Sequence, residues 1–395
     1  MPAFSLQHFF ALMLETVAVR RRITATILGQ TKVASADADS LQRALDHINA
    51  LPRHGNRVVL QLSDDAQIEM DPDYEVDELN RDIIFINQGE DALIHAIATR
   101  TPNLERQMAL LGEKLRGVKV RNWVTDRDGT VNNYCGRYLS SVQSVYNAVF
   151  LTRFARTVTG ASIILTAAPL DRGGVSDISL TSSADLILAG SKGREFLDSS
   201  GQRHALPIPA EHQRILDRLN GSLEQLLKDP RYGRFALTGS GFQRKFGQTT
   251  IARQDISNSI PREESERFLR IVKECVRTID PQGSFLGIED TGKDIEIILT
   301  VDTHSSAREF NKGDGVSFLA AALSLNMGAG PNLVCGDTAS DIPMFAALAG
   351  HECDTFGVMV TTDMSLLDRA RDTGAEVTGV DTPDVLVCGL NELSR

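Results

Sequence analysis

The chain has 395 residues, of which 42% are hydrophobic and 24% are charged. This composition is typical of a globular protein of two or three domains, and it excludes an intrinsically disordered chain and a membrane bundle. The formal net charge of −11 argues against sequence-independent binding of nucleic acid, which requires a basic face. A small anionic ligand is compatible with that charge, because a few local cations dominate a closed site.

The cysteines and the N-terminus indicate a reducing compartment. Five cysteines are scattered without a Cys-x-x-Cys pair, and no window approaches the length of a membrane span. An apolar run precedes the basic cluster at 20–22, whereas a secretory signal places its positive charge first. The sequence therefore predicts a cytoplasmic protein with no membrane partner.

Residues 1–117 are predicted to form a mainly helical module. Helices are expected over 5–29, 38–51, 90–99 and 104–115, and a strand over 57–62. Because this stretch carries no chemical motif, we interpret it as an accessory module for self-association or partner docking. A packing extension and a folding aid are the alternatives. Its removal is expected to alter association or solubility more than chemistry.

Strands and helices alternate over 118–204 and 301–395, which predicts the core of an α/β fold. Strands are expected at 118–125, 161–166, 184–190, 332–335 and 356–360, with helices around 139–158 and at 315–326. This alternation favours a doubly wound, Rossmann-like parallel sheet, which binds its ligand at the carboxyl ends of the strands.

Residues 205–300 are predicted to form an αβ cap inserted into that core. Two amphipathic helices are expected at 215–227 and 268–279, the second opening at Pro261. Strand-like runs occur at 234–239, 248–253 and 295–301.

Two aspartates, Asp126 and Asp128, directly follow the strand that ends at residue 125. Gly129 allows the backbone to leave extended geometry there, so that both carboxylates face one site. One carboxylate could then attack phosphorus while the other handles the proton of the leaving oxygen. Since Asp-x-Asp is common in loops, a purely structural role is equally open.

A second acidic pair, Asp337 and Asp341, follows the strand at 332–335. If it meets Asp126 and Asp128 at the same sheet edge, the four residues supply the oxygen ligands that Mg²⁺ prefers. The alternative for Asp341 is a carboxylate that stabilises a helix start.

Lys312 and Thr166 complete the set of candidates in the core. Lys312 precedes the helix at 315–326, where its charge could neutralise a phosphate and an attacking carboxylate. Thr166 ends a strand, so its hydroxyl could bind a phosphate oxygen. Ordinary roles as a surface lysine and a strand-end threonine are the alternatives.

The order of these groups resembles the four motifs of the haloacid dehalogenase-like phosphatases. The resemblance covers about 118–395 except the cap, and that family carries an αβ cap between its second and third motifs. It implies that Asp126 is a nucleophile forming an aspartyl-phosphate, and that Asp128 is a general acid and then a base. Thr166 and Lys312 would bind the phosphoryl group.

The same resemblance implies a bound Mg²⁺. Asp337 would hold the ion together with Asp126 and the carbonyl of Asp128, and Asp341 would support either the ion or Lys312.

Within these phosphatases, the chain resembles the trehalose-6-phosphate phosphatase family. The similar stretches are 190–195, 239–253, 292–296, 311–313, 336–345 and 356–360, and the helical stretch before the core looks like the nematode-type branch. Two positions depart from the pattern: Thr166 is followed by Ala-Ala-Pro where many relatives have Gly-Arg, and Lys192 replaces the usual histidine.

The resemblance implies a Mg²⁺-dependent sugar-phosphate phosphatase, with trehalose 6-phosphate as the first candidate substrate. The alternatives are another sugar phosphate or glycosyl-glycerate phosphate, phosphoryl transfer to an acceptor, and a non-catalytic binding protein on the same core.

Sugar recognition requires several convergent polar groups, because an unpaired hydroxyl in a closed site costs about 1–3 kcal/mol. Lys293 and Glu296 are three residues apart in a predicted strand, so they point to opposite faces unless the chain bends near Asp294. The candidate substrate-binding residues are Lys192, Glu195, Gln243, Lys245, Glu289, Lys293 and Glu296.

Overall fold

The computed structural model describes residues 4–63, 66–171, 173–182, 184–302 and 307–395. These residues form an N-terminal module, a doubly wound α/β core and an αβ cap inserted into the core, which confirms the predicted fold class. Within them, no helix combines the length and the apolar character that a membrane span requires.

The N-terminal module consists of five helices and a small antiparallel sheet. The elements are α1 (Leu6–Leu28), α2 (Ser35–Asn49), β1 (Arg53–His54), β2 (Arg57–Ser63), β3 (Ala66–Met70), α3 (Asp73–Gln88), α4 (Glu90–Ala98) and α5 (Leu104–Leu115). Helix α1 begins at Ser5, whose hydroxyl accepts a hydrogen bond from the His8 N–H (3.1 Å). The sequence missed α3 and β3.

The core contains one eight-stranded sheet with helices on both faces. Its first half comprises β4 (Asn122–Thr125), α6 (Val145–Ala155), β5 (Ser162–Leu165), α7 (Val175–Ile178), β6 (Ile187–Gly190), β7 (Glu195–Leu197) and β8 (Arg203–Ala205). The strand predicted over 118–125 is therefore confined to β4, and the helix predicted around 139–158 is the shorter α6.

The cap elements follow β8. They are α8 (Ala210–Leu227), β9 (Phe242–Lys245), β10 (Gln248–Ala252), α9 (Arg262–Ile279), β11 (Leu286–Asp290), β12 (Asp294–Asp302) and β13 (Ala307–Glu309). The cap sheet is antiparallel, in the order β11-β12-β10-β9, and β13 also pairs with β12, so the sheet continues past residue 300.

One predicted cap strand is wrong. The run predicted at 234–239 begins within a 3-10 turn, Gly233–Ala236. The ring of Phe235 stacks on Phe268 of α9, with ring centroids 3.7 Å apart, so the apolar side chain in this run anchors a turn to a helix.

The second half of the core completes the sheet. Its elements are α10 (Lys312–Ala322), β14 (Asn332–Gly336), α11 (Ile342–Ala349), β15 (Thr355–Val360), α12 (Met364–Arg371), β16 (Glu376–Val380) and α13 (Pro383–Leu393). The strand order is β16-β15-β14-β4-β5-β6-β7-β8, parallel as far as β6 and antiparallel beyond it. Chain order reverses around β4, and the carboxyl ends of β4, β5 and β14 meet at one edge of the sheet.

The N-terminal module packs directly on the core. Phe85 of α3 meets Phe150 of α6 edge to face, with ring centroids 5.7 Å apart, and one continuous hydrophobic cluster contains residues of α1, α3 and α6. This packing favours the packing-extension interpretation of the module. Self-association through it stays a prediction.

Candidate active site

A buried lysine joins two aspartates at the carboxyl edge of the sheet. Lys312 Nζ lies 2.7 Å from Asp126 Oδ1 and 2.5 Å from Asp341 Oδ1. All three side chains are at most 9% exposed. Asp126 directly follows β4, and Lys312 opens α10, whose N-cap Asn311 accepts hydrogen bonds from the Gly313 and Asp314 N–H groups.

Asp341 also shapes the turn after β14. Its Oδ2 accepts hydrogen bonds from the N–H groups of Asp337 (3.0 Å) and Thr338 (2.9 Å). Asp341 therefore has one oxygen bound to Lys312 and the other bound to the backbone. This arrangement favours support of Lys312, the second of the two roles considered for Asp341.

Asp337 is held in place by the loop that follows Asp126 and Asp128. The Thr130 hydroxyl donates to its Oδ1 (2.9 Å). Gly129 passes so close that a Cβ there would lie 2.2 Å from Asp337 Oδ2. The absence of a side chain at residue 129 thus allows Asp337 to sit against the loop that carries Asp126 and Asp128.

In this cluster three carboxyl groups lie around one buried cationic side chain, that of Lys312. Burial raises the pKa of Asp126 despite the attraction of Lys312, and burial together with the charges of Asp126 and Asp341 raises the pKa of Asp337. Burial opposes the charge of Lys312, but Asp126 and Asp341 outweigh it and raise the pKa of the lysine. Although burial acts the other way, Lys312 holds the pKa of Asp341 below its usual value.

The donor set at this edge fits a hard divalent cation. Oxygens of Asp126, Asp337 and Asp341 lie within 4.8 Å of one another. Because both oxygens of Asp341 already have partners, Asp126 and Asp337 are the carboxylates best placed as ligands. Oxygen donors of this kind match the preference of Mg²⁺.

Asp128 lies at the opening of the cluster and is oriented by two donors. Arg127 Nη1 and the Ser141 hydroxyl both donate to its Oδ1, the latter over 2.9 Å. The Arg127 guanidinium also binds Ser141 directly, donating through Nη2 to its carbonyl oxygen (2.5 Å). The sequence indicated Asp128, but it did not indicate Arg127 or Ser141.

Thr166 follows β5 at the same edge. Its hydroxyl accepts a hydrogen bond from the Ala168 N–H (3.2 Å), and Thr166 is one of the residues that line the cavity between this edge and the cap. The hydroxyl proton is therefore available to a ligand oxygen.

A cavity of about 330 Å³ lies between this edge and the cap. It brings together the predicted core residues Asp126, Asp128, Thr166, Lys312 and Asp337. It also contains residues that the sequence did not indicate, namely Tyr134, Arg137, Tyr138, Ser141, Ser240, Thr250, Thr291 and Asp294. Several of these residues lie in the irregular stretch between β4 and α6. A long segment of polar and aromatic residues directly after Asp126 and Asp128 was the feature of the sequence that could have indicated them.

Three of the predicted cap residues line the cavity: Gln243, Lys245 and Glu296. Burial lowers the pKa of Lys245. Burial opposes ionisation of Glu296, but Lys245 and Lys192 hold its pKa below the usual value. Lys192 is not among the residues that line the cavity, but its Nζ lies 3.0 Å from Glu296 Oε2, and its role in substrate binding stays a prediction.

The other three predicted residues have different surroundings and are not among those lining the cavity. Glu195 is buried and accepts hydrogen bonds from the Leu170 N–H and the Ser191 hydroxyl. Lys293 donates to the carbonyl oxygen of Asp255 (2.8 Å), because the turn before β12 directs it away from Glu296. Glu289 is exposed on β11, opposite Glu296. Direct contact of these three residues with a substrate therefore stays a prediction.

Two family models and several known proteins match this chain. The family model described as trehalose-6-phosphate phosphatase, C-terminal, matches residues 123–386, and the model of the trehalose-6-phosphate phosphatase N-terminal helical bundle domain matches residues 5–102. The trehalose-phosphatase of Caenorhabditis briggsae is 29% identical over 87% of this chain and 86% of its own length.

An alpha,alpha-trehalose-phosphate synthase [UDP-forming] 2 of Aphelenchoides avenae is 30% identical over 98% of this chain and 31% of its own length. The chain thus spans about a third of the length of the synthases that it matches. The solved C-terminal domain of a C. albicans trehalose-6-phosphate phosphatase has a TM-score of 0.47 at 15% identity, covering 74% of this chain and 98% of that one. On the two family models, which together match residues 5–102 and 123–386, the chain belongs to the trehalose-6-phosphate phosphatase family.

Proposed function

We propose that the chain is a phosphomonoester hydrolase that converts trehalose 6-phosphate to trehalose and phosphate. The observation that carries this proposal is the buried contact of Lys312 with Asp126 and Asp341, beside Asp128 and beneath the cap. A carboxylate, a fixed cation and a second carboxyl group at one sheet edge are the parts that transfer of a phosphoryl group to an aspartate requires.

In the first step, an Asp126 oxygen attacks phosphorus and the bond to the ester oxygen breaks. The departing oxygen takes a proton from Asp128, so that the sugar leaves as a neutral alcohol and an aspartyl-phosphate forms. In the second step, a water molecule gives a proton to Asp128 and attacks the same phosphorus. Asp126 is regenerated and phosphate is released.

Lys312 and Thr166 bind the phosphoryl oxygens during both steps. Lys312 is fixed before the reaction by Asp341, so no reorganisation is needed when charge develops on the phosphoryl group. We propose that Asp126, Asp337 and the carbonyl of Asp128 hold Mg²⁺, which when bound neutralises part of the negative charge of the phosphate.

The cap supports a hydroxyl-rich substrate. Gln243, Lys245, Thr250, Asp294 and Glu296 all face the cavity, and together they offer donors and acceptors on the side opposite Asp126. The match to the trehalose-6-phosphate phosphatase models favours trehalose 6-phosphate among sugar phosphates.

Phosphate release from a panel of substrates with Mg²⁺ tests this function. The panel comprises trehalose 6-phosphate, glucose 6-phosphate, sucrose 6-phosphate and a glucosylglycerate phosphate. We expect the highest kcat/KM for trehalose 6-phosphate and no release by Asp126→Asn. The matched control is Asp185→Asn, since Asp185 pairs with Arg156 away from the cavity, and it is expected to retain activity.

The outcomes separate the alternatives. No hydrolysis of any substrate, together with no Mg²⁺ binding in calorimetry, would indicate a non-catalytic protein. Preference for another phosphate ester would overturn the substrate but not the reaction. Phosphorylation of an added alcohol in place of phosphate release would indicate a phosphotransferase.

A further inference from the structure

One wall of the cavity is formed by the segment 131–144, which connects the β4 aspartates to α6. We refer to it as the 131–144 loop. It has only a short 3-10 turn at Tyr138–Ser140, and several of its side chains face the cavity, namely Tyr134, Cys135, Arg137, Tyr138 and Ser141. A loop with so little regular structure needs contacts from elsewhere to keep a fixed shape.

Helix α3 of the N-terminal module supplies such a contact at the centre of the loop. Glu75 is fully buried, and the Arg137 guanidinium donates to both of its oxygens, over 3.2 Å from Nε and 2.8 Å from Nη2. The Ser140 hydroxyl also donates to Glu75 Oε1 (2.5 Å). Separating a buried carboxylate from a buried guanidinium would leave both charges uncompensated, which is energetically costly, so this contact fixes the loop to the helix.

The same helix holds both ends of the loop. Near its start, the Tyr74 hydroxyl accepts a hydrogen bond from Asn132 Nδ2 (3.1 Å). After its end, Asp82 Oδ1 accepts one from the Val145 N–H (2.6 Å), at the first turn of α6. Glu75, Glu78 and Asp82 lie on one buried face of α3, as their spacing of three and four residues requires.

Ser141 connects the 131–144 loop to Asp128. This residue follows Ser140 in the chain, and its hydroxyl donates to Asp128 Oδ1. Its carbonyl oxygen accepts from Arg127, the second donor to the same carboxylate. A shift of Ser140 would therefore move both groups that orient Asp128.

We propose that Glu75 is a positioning residue for Asp128, so that α3 of the N-terminal module is part of the catalytic apparatus. Glu75 acts through the 131–144 loop and Ser141, and it keeps Asp128 where its proton reaches the leaving oxygen. This inference rests on the proposed phosphatase function. It also differs from the expectation that residues 1–117 are accessory to the chemistry.

The test compares two leaving groups in the full-length chain. A sugar alkoxide needs the proton of Asp128, whereas p-nitrophenolate is stable enough to leave without one. We expect Glu75→Gln to lower kcat/KM for trehalose 6-phosphate by about tenfold or more, and that for p-nitrophenyl phosphate by less than about threefold. The ratio kcat/KM is used because it reports the first phosphoryl transfer and not the later hydrolysis.

Asp77→Asn is the matched control, since Asp77 lies on the same helix and pairs with Arg100 at the surface. It is expected to leave both values close to those of the unmodified chain. If Glu75→Gln does not fold, Tyr74→Phe removes a single hydroxyl from the same support and carries the same comparison.

An equal loss for both substrates, or no loss for either, would overturn the positioning role. Hydrogen exchange gives a readout that does not depend on activity. Amides of residues 131–144 should exchange faster in Glu75→Gln than in Asp77→Asn, and unchanged exchange would overturn the inference. A chain that hydrolyses neither substrate before any substitution would instead contradict the proposed function.

Discussion

Replacing Gly129 with alanine is expected to weaken metal binding through Asp337 much more than it destabilises the fold. The residue has a φ of +89°, and a Cβ placed on it would lie 2.2 Å from Asp337 Oδ2 and 2.8 Å from its Cγ. Ordinary contacts between such atoms are about 3.5 Å, so the carboxylate must retreat by about 1 Å. It must do so while Thr130 holds its other oxygen at 2.9 Å.

The expected effects follow from that displacement. Mg²⁺ requires ligand distances of about 2.0–2.1 Å, so a shift of about 1 Å removes Asp337 as a ligand. We expect Kd for Mg²⁺ to rise by at least about tenfold, or about 1.4 kcal/mol. Misplacement of this size also costs about 100-fold in kcat/KM. Backbone strain at a positive φ lowers the free energy of unfolding by about 1–3 kcal/mol.

Gly117→Ala is the control, because Gly117 has a φ of +82° and no atom within 4 Å of the added Cβ. It shares the backbone strain but does not touch the metal site. Calorimetric titration with Mg²⁺, thermal unfolding and kcat/KM are measured for both variants. Mg²⁺ binding by Gly129→Ala that equals that of the unmodified chain would refute the reasoning, as would an equal loss of binding in Gly117→Ala.

The central residues of the site could be predicted because their positions depend on local patterns. Asp126 and Asp337 each follow a short apolar strand that is buried along its whole length. Parallel pairing of those two strands then places the carboxylates at one edge, whatever the rest of the chain does. Lys312 was a candidate through the family resemblance, since a lysine before a predicted helix is also typical of an exposed surface; in the structure it begins α10.

The support from the N-terminal module could not be predicted in the same way. Helix α3 buries Glu75, Glu78 and Asp82 as well as the apolar Leu79 and Phe85. Hydrophobic periodicity can indicate such a helix, but it gives no sign that the three acidic side chains are buried. The burial depends on partners such as Arg137 that lie far away in the sequence. A charged residue that binds a distant loop has the same kind of sequence neighbours as a charged residue that is exposed to solvent.

The start of β12 in the cap shows the same limit of sequence patterns. Alternation was expected to separate Lys293 from Glu296 unless the chain bends near Asp294, and β12 begins only at Asp294, so Lys293 lies in the preceding turn. Which face of the cap sheet meets the cavity depends on how the sheet sits on the core, where Arg194 donates hydrogen bonds to the carbonyl oxygens of Gly247 (2.9 Å) and Leu299 (2.8 Å). The Lys293 ammonium donates instead to the carbonyl oxygen of Asp255, a tertiary contact that the strand pattern does not contain.

Two further predictions concern the charges around the cavity. Lys245→Gln should lower kcat/KM for trehalose 6-phosphate by about tenfold and leave p-nitrophenyl phosphate almost unaffected, because Lys245 is a buried cation on the cap side; equal losses for both substrates would contradict this. The stabilisation by Mg²⁺ should increase with pH. Burial and the charges of Asp126 and Asp341 raise the pKa of Asp337 above its ordinary value of 3.8, so the folded chain without metal holds a proton that the unfolded chain has lost. The free energy of unfolding of the metal-free chain therefore falls as pH rises from the ordinary pKa of Asp337 toward its raised value of about 9. A bound cation relieves the repulsion between the carboxylates of Asp337, Asp126 and Asp341, and so stabilises the folded chain more at high pH. Thermal unfolding with and without Mg²⁺ at about pH 5 and about pH 8 measures the difference, and an increase in Tm that is the same at both values would show that Asp337 does not titrate in this way.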